Sequence, residues 1–257
     1  MKQLVHFLFF ASILFSCKSE TEQIPLGQMT PQIKDTIVSK PKDTLNLNKD
    51  KVLGRINYRN DSTFSKVRRE YSNKTIYLQK EVYGAFLNMV EAAEKDNVNL
   101  KIISGTRNFY EQKAIWERKW EKYKDLDSIT RTLNILEYSS MPGSSRHHWG
   151  TEIDLNSLNN LYFNSGKGLK EYNWLQSHAN TFGFYQVYTD KSRGRSGYQL
   201  EKWHWSYLPL ASKYLAYYNA NISYKDLTGF NGSEMASQLQ IIEDYVNGIS
   251  KKAINYN

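Results

Sequence analysis

The sequence predicts one folded domain in which helices alternate with short strands, and three observations point there. Apolar residues recur at helical spacing in several segments, most clearly Val82, Phe86, Met89, Val90 and Ala93. Short apolar runs of strand length are bounded by Gly or Ser-Gly, one ending at Ser104-Gly105 after 100–103 and one opening at Gly183 in 183–188. A basic, Gly-containing turn at 191–197 joins two such runs as a hairpin. With 257 residues, 40% hydrophobic, 19 Tyr and 6 Trp, the chain can build one sizeable core or at most two small ones. That composition excludes a disordered chain.

The chain starts with Lys2 and an almost unbroken apolar run from Leu4 to Phe15, followed at once by Ser16-Cys17. The run has the length of a signal-peptide core and is short for a bilayer span. A small residue before Cys at its end resembles a bacterial lipoprotein signal, so Cys17 is the expected lipidation site. An ordinary signal peptide with an incidental Cys is the rival reading. One cysteine permits no disulfide within the chain. Residues 18 to about 50 are polar, with Pro25, Pro31 and Pro41 breaking helices, and read as a tether. The expected organisation is a signal at 1–16, a lipidated Cys and tether at 17–50, a domain at 51–230 and an amphipathic tail at 231–257. The net charge of +8 favours anionic surfaces such as lipid headgroups or acidic wall polymers. Nucleic acid ranks low as a partner, because no basic run of the required kind is present.

Within the domain, Tyr77 leads into a helix through Ala93, and Leu100 to Ile103 reads as a buried strand ending at Ser104-Gly105. A helix from Tyr110 to about Tyr123 turns Trp116 and Trp120 inward. Arg107, at the strand-to-helix junction, has two readings: a fork pointed into a cleft to hold a carboxylate, or a surface partner of Glu111. Residues 125–138 are polar and partly helical, and Pro142-Gly143 is a turn. Residues 156–168 read as a loop and Tyr172 to Phe182 as a helix carrying His178, a packed or surface histidine. A strand at 183–188, the turn at 191–197 and a return strand at 198–205 follow. Then come a helix at 209–218 and the amphipathic segment Met235 to Ile249, which packs on the domain or mediates association.

The chemistry concentrates in two stretches. Ser145-Arg146-His147-His148-Trp149-Gly150-Thr151-Glu152-Ile153-Asp154 holds two imidazoles and two carboxylates in a chain with five histidines. Glu201-Lys202-Trp203-His204 adds one of each. A catalytic zinc takes three protein ligands and keeps one position open, and imidazole and carboxylate suit it. If Gly150 to Asp154 enters a strand, Glu152 and Asp154 share a face. Glu201 and His204 are three apart, so a bulge or a strand end is needed to aim both at one point. Glu201 is the better general base.

These stretches resemble the zinc D-alanyl-D-alanine carboxypeptidases and dipeptidases, the VanY-like metallopeptidases related in fold to lysostaphin-type endopeptidases and the hedgehog domain. The family pattern Ser-x-His-x-x-Gly-x-Ala-x-Asp falls on Ser145 to Asp154, and Glu-x-x-His on Glu201 to His204. A family segment Ser-Gly-x-Arg-Ser-x-x-x-Gln falls on Ser104 to Gln112. The resemblance implies Zn2+ held by His147, Asp154 and His204, Glu201 as the base, and Arg107 binding the substrate carboxylate. Ser145, Gln112 and His148 are expected beside Arg107 on the substrate side, with a surface role as the alternative for His148. It implies an α+β fold, a small antiparallel sheet flanked by helices with the metal in a groove across it. The implied function is hydrolysis of peptidoglycan stem peptides near a free C terminus, by a lipid-anchored enzyme of the bacterial envelope. An L,D-carboxypeptidase, a cross-link endopeptidase and a non-catalytic peptidoglycan-binding lipoprotein are the alternatives. The chain departs from the pattern at Glu152, where the family usually has Ala. Glu152 has three readings: it binds a substrate ammonium, pairs with Arg146 or perturbs the metal.

Overall fold

The computed structural model describes residues 45–256. The expected signal, Cys17 and most of the tether lie outside these residues. The domain begins earlier than expected. Asn48 caps a short helix α1 (Lys49–Val52) by accepting from the Lys51 amide, and Val52 and Leu53 are buried. The expected boundary at residue 50 therefore cuts through this helix.

Strands β1 (Phe64–Lys66) and β2 (Tyr77–Gln79) form an antiparallel pair, and β2 runs directly into helix α2 (Lys80–Lys95). The helix buries Val82, Phe86, Met89, Val90 and Ala93, the face the periodicity marked. Burial of each larger side chain is worth about 1.5–3 kcal/mol relative to exposure. Asn97 ends the helix in the left-handed region at φ 55°, a conformation Asn tolerates better than most residues.

Strand β3 (Ile102–Ser104) precedes helix α3 (Phe109–Lys122), which starts at a capping box formed by Asn108 and Glu111. Trp116 is fully buried and donates to the Asn231 carbonyl at 2.8 Å, and Trp120 stacks beside it. Helix α4 (Ser128–Leu136) is capped by Asp127. A single 3-10 turn, Arg146–Trp149, then meets Gly150 at φ 73° and turns into strand β4 (Glu152–Leu155). Gly150 is required twice. Its backbone is left-handed, and a Cβ there would sit 2.4 Å from the Phe64 ring.

Helix α5 (Gly166–His178) begins earlier than the reading at Tyr172, because Gly166-Lys167-Gly168, read as loop, forms its first turn. Gly168 lets that turn approach the Tyr162 carbonyl, where an added Cβ would lie 2.0 Å away. Strands β5 (Phe184–Gln186) and β6 (His204–Tyr207) pair antiparallel. The return strand thus starts at His204, not at Tyr198. Residues 187–203 form a connection tied by Arg195, which donates to the carbonyls of Thr189, Ser196, Tyr198 and Gln199. These bonds occupy backbone that a strand would need for its ladder.

Helix α6 (Leu208–Asn221) follows, then α7 (Met235–Gln238), a π-helical turn Ile241–Val246 and α8 (Lys251–Ile254). Ile241, Val246, Ile249 and Ala253 are buried, and the Ser250 amide donates to the Val187 carbonyl at 2.8 Å. The segment after residue 230 is therefore part of the domain rather than an appended tail, and residues 45–257 form one compact unit.

The main sheet has the order β3-β4-β6-β5, antiparallel throughout. Its register sets Asp154 opposite His204 and Glu152 opposite Ser206. Because side chains alternate along a strand, these four share one face of the two central strands. This is the α+β arrangement expected, with an additional two-stranded sheet.

Candidate metal centre and cleft

His147 reaches the site from the 3-10 turn, Asp154 from β4 and His204 from the first position of β6. One ligand atom from each lies within 4.8 Å of the others, and all three residues are buried. The rings of His147 and His204 meet edge to face, with centroids 4.9 Å apart. Glu201 arrives from the turn before β6, its Oε2 3.4 Å from Nδ1 of His204. A strand end thus resolves the three-residue spacing, as the alternation rule required.

Hydrogen bonds define which ring nitrogens face the centre. Nδ1 of His147 lies 2.7 Å from the Gly105 carbonyl, which can only accept, so Nδ1 carries the proton. Burial and the nearby Arg107 charge lower the His147 pKa, keeping the ring neutral. Its Nε2 lone pair therefore points at Oδ2 of Asp154, 3.4 Å away. Nε2 of His204 lies 2.9 Å from Oε2 of Glu152 and so carries its own proton. That leaves Nδ1 facing Oδ1 of Asp154 at 3.1 Å. Asp154 Oδ1, though buried, has no hydrogen bond of acceptable geometry.

Lone pairs and a carboxylate thus converge on one point. Burial alone would lower the pKa of His204, but the adjacent Asp154 and Glu152 carboxylates raise it to about 9. Asp154 is also opposed by burial, yet the His204 ring beside it holds its carboxyl well below the usual range. Burial raises Glu201 to about 8, with the His204 charge acting in the other direction. A divalent cation would satisfy all three inward-facing groups, so the donor set fits one.

The centre opens into a cleft of about 1030 Å³. Arg107 lines it, half-buried, with Nε donating to Gln112 Oε1 at 3.0 Å and Nη1 donating to Ser104 Oγ. It does not pair with Glu111. That carboxylate takes Arg59, Tyr58 and the Asn108 amide instead. The cleft reading of Arg107 is the one the geometry keeps. Ser145 also lines the cleft, buried, and its hydroxyl has no hydrogen-bond partner among the described residues. Lys119, Tyr188 and Tyr198, not singled out in the sequence, are further wall residues. Tyr188 lies against His204 with ring centroids 4.6 Å apart.

Gln112 lines the cleft beside Arg107, accepting from its guanidinium at 3.0 Å and donating to the Ser140 carbonyl at 2.8 Å, so it also orients that fork. One expected substrate contact is corrected. His148 does not line the cleft, nor is it on the surface. Its Nδ1 donates to the Arg107 carbonyl at 2.7 Å, and its Nε2 accepts from the Gly143 amide at 3.0 Å. Gly54 packs so closely that a Cβ there would lie 2.4 Å from the ring. His148 is thus a buried brace holding the backbone that carries Arg107. Glu152 faces the same side as Asp154, as expected, but is fully buried behind His204 and pairs with Arg146 at 3.3 Å.

A buried cluster of two histidines and an aspartate, with a carboxylate beside it in a cleft, is the composition of a hydrolytic metal centre. The family model described as VanY, D-alanyl-D-alanine carboxypeptidase, matches residues 75–210 and includes every one of these site residues. The chain belongs to this family. It is 28% identical over 134 residues to the Bacillus subtilis (strain 168) protein named as carboxypeptidase YodJ, covering 51% of this chain and 46% of that protein. It is 29% identical over 139 residues to an Enterococcus faecium D-alanyl-D-alanine carboxypeptidase, covering 54% of this chain and 40% of that one. The chain spans less than half the length of each of these curated relatives. A crystal structure of a vancomycin resistance D,D-pentapeptidase VanY variant with Zn(II) is 23% identical, with a TM-score of 0.47. It covers 62% of this chain and 86% of that one.

Proposed function

We propose that the protein is a zinc peptidase of the D-alanyl-D-alanine carboxypeptidase type, hydrolysing peptidoglycan stem peptides near a free C terminus. The observation that carries this is the convergence of His147, Asp154 and His204 beside a buried Glu201, in a cleft that also presents Arg107. His147 through Nε2, Asp154 through its carboxylate and His204 through Nδ1 would hold the zinc. When bound, zinc supplies Lewis acidity for the scissile carbonyl and for a water.

The chain's own groups do the rest. Glu201 takes a proton from the attacking water and passes it to the leaving amine as the C–N bond breaks. Burial raises its pKa to about 8, and a neighbouring double positive charge would favour the carboxylate needed for a base. Arg107 receives the terminal carboxylate with its planar fork, held in direction by Gln112 and Ser104. The free hydroxyl of Ser145 is placed to donate to the bound peptide. The same reading places the protein in the bacterial envelope, tethered by lipid on Cys17. The intact mass of its N-terminal peptide tests that anchor.

The deciding experiment incubates the full chain with a stem pentapeptide, with and without zinc chelation, and reads products by mass spectrometry. Zinc-dependent loss of one terminal alanine supports the reading. An intact pentapeptide in the presence of zinc-loaded protein removes it in favour of cross-linked or tetrapeptide substrates.

A further inference from the structure

Behind His204 lies an acid that the cleft does not reach. Glu152 has no exposed surface and is absent from the cleft walls. Its Oε2 accepts from His204 Nε2 at 2.9 Å. Its Oε1 accepts from Ser206 Oγ at 2.7 Å and from Thr151 Oγ1 at 2.9 Å, with Arg146 Nη2 at 3.3 Å. Arg146 Nη2 also donates to Ser206 Oγ at 2.8 Å, and the guanidinium lies 4.7 Å over the Trp149 ring. Arg146 and Ser206 are as buried as Glu152.

A simple core ion pair is the competing explanation, and the energetics disfavour it. Replacing a buried pair with apolar groups of similar volume is often neutral or stabilising. This pair also leaves Nε and Nη1 of Arg146 buried without partners among the described residues. An unmade hydrogen bond of that kind is costly, more so for a charged group. What the arrangement does achieve is to define His204. A ring whose Nε2–H is committed to a carboxylate has a fixed plane and one fixed tautomer, with its Nδ1 lone pair turned toward His147 and Asp154.

We propose that Glu152 is the positioning residue of the metal centre, holding His204 so that Nδ1 meets the cation, with Arg146, Ser206 and Thr151 fixing the carboxylate in turn. The inference rests on the metal site proposed above. It assigns the acid at the family's usual Ala position to the far side of a ligand, not to substrate or metal.

The test measures Zn2+ affinity of the metal-stripped full chain by competition with a chromogenic chelator, alongside thermal unfolding of the metal-free protein. Three proteins are compared: wild type, Glu152→Gln, and Glu152→Gln combined with Arg146→Met. The double variant removes the charge that the single variant leaves unpaired, so it recovers stability lost for structural reasons. Zinc affinity about 10–100-fold weaker in both variants, persisting when the double variant regains stability, is the expected result. Affinity that returns to the wild-type value with stability would overturn the proposal, as would wild-type affinity in the single variant. Wild-type protein that binds no zinc is a different result. It removes the metal site itself, and this inference with it.

Discussion

His148 should behave as a buried brace with a pH signature of its own. Both ring nitrogens are engaged with backbone, and burial, the largest influence, lowers its pKa from 6.5 to about 3. A histidine held neutral in the fold but free to charge when unfolded stabilises the fold fully above pH 6.5. That stability is lost as pH falls toward 3, because the unfolded chain then binds a proton that the folded one refuses. The slope is about 1.4 kcal/mol per pH unit, so between pH 6.5 and 4 the loss is about 3 kcal/mol. In His148→Gln, which does not titrate, one or both hydrogen bonds weaken, at a cost of about 1–3 kcal/mol near pH 8. Urea unfolding of wild type and variant, metal-free, from pH 8 to 4 measures the difference. The wild-type advantage should shrink steadily below pH 6.5 and vanish or invert by about pH 4. An advantage that stays constant across the range would show that His148 is not buried neutral, and the brace assignment would fail.

Four further outcomes follow from the site. Glu201→Gln should keep fold and zinc but reduce kcat by about 10²–10⁴-fold, a loss typical of a missing general base; a fully active variant refutes the assignment. Arg107→Ala should act mainly on substrates with a free C-terminal carboxylate, and an equal loss of kcat/KM on C-terminally amidated peptides would remove that role. Zinc affinity should rise about tenfold per pH unit from pH 6.5 to about 9, because the cation must displace the proton that Asp154 and Glu152 stabilise on His204; chelator competition across pH reads the slope, and a flat profile contradicts it. Gly150→Ala should destabilise the protein by more than 1 kcal/mol, since it meets both a left-handed backbone and the Phe64 ring; an unchanged urea midpoint would contradict that.

Much of the site was legible in the chain itself, because its groups come in short runs. His147 and Asp154 are seven residues apart and Glu201 and His204 three apart, so local geometry brings each pair together. Strand alternation put Glu152 and Asp154 on one face, which the register confirms. The spacing also demanded a bulge or a strand end near Glu201, and β6 begins at His204. The apolar face of α2 was readable for the same reason, since periodicity is a local property. The misplaced substrate contact has the opposite cause. His148 is a polar residue beside functional ones, and only its partners, at Gly143 and Arg107, reveal that it braces rather than binds.

The division has a physical basis. Residue type and spacing by themselves gathered candidate donors and a candidate base into two short runs and marked the helices with a clear apolar face, because these follow from backbone periods of two and 3.6 residues; the full donor set and the α+β class came from the family resemblance. Only the tertiary structure decided what long-range packing controls. It set the start of the domain before Asn48, where α1 accepts the Trp149 indole at the Val52 carbonyl. It folded the segment after residue 230 into the core, and it replaced an expected strand at 198–203 with a connection tied by Arg195. It also resolved Glu152, whose three possible roles differed in the partner it would meet, and which pairs with Arg146 behind His204. That choice depends on the pairing of β4 with β6, across some fifty residues of chain, and such a register is not written in either strand alone.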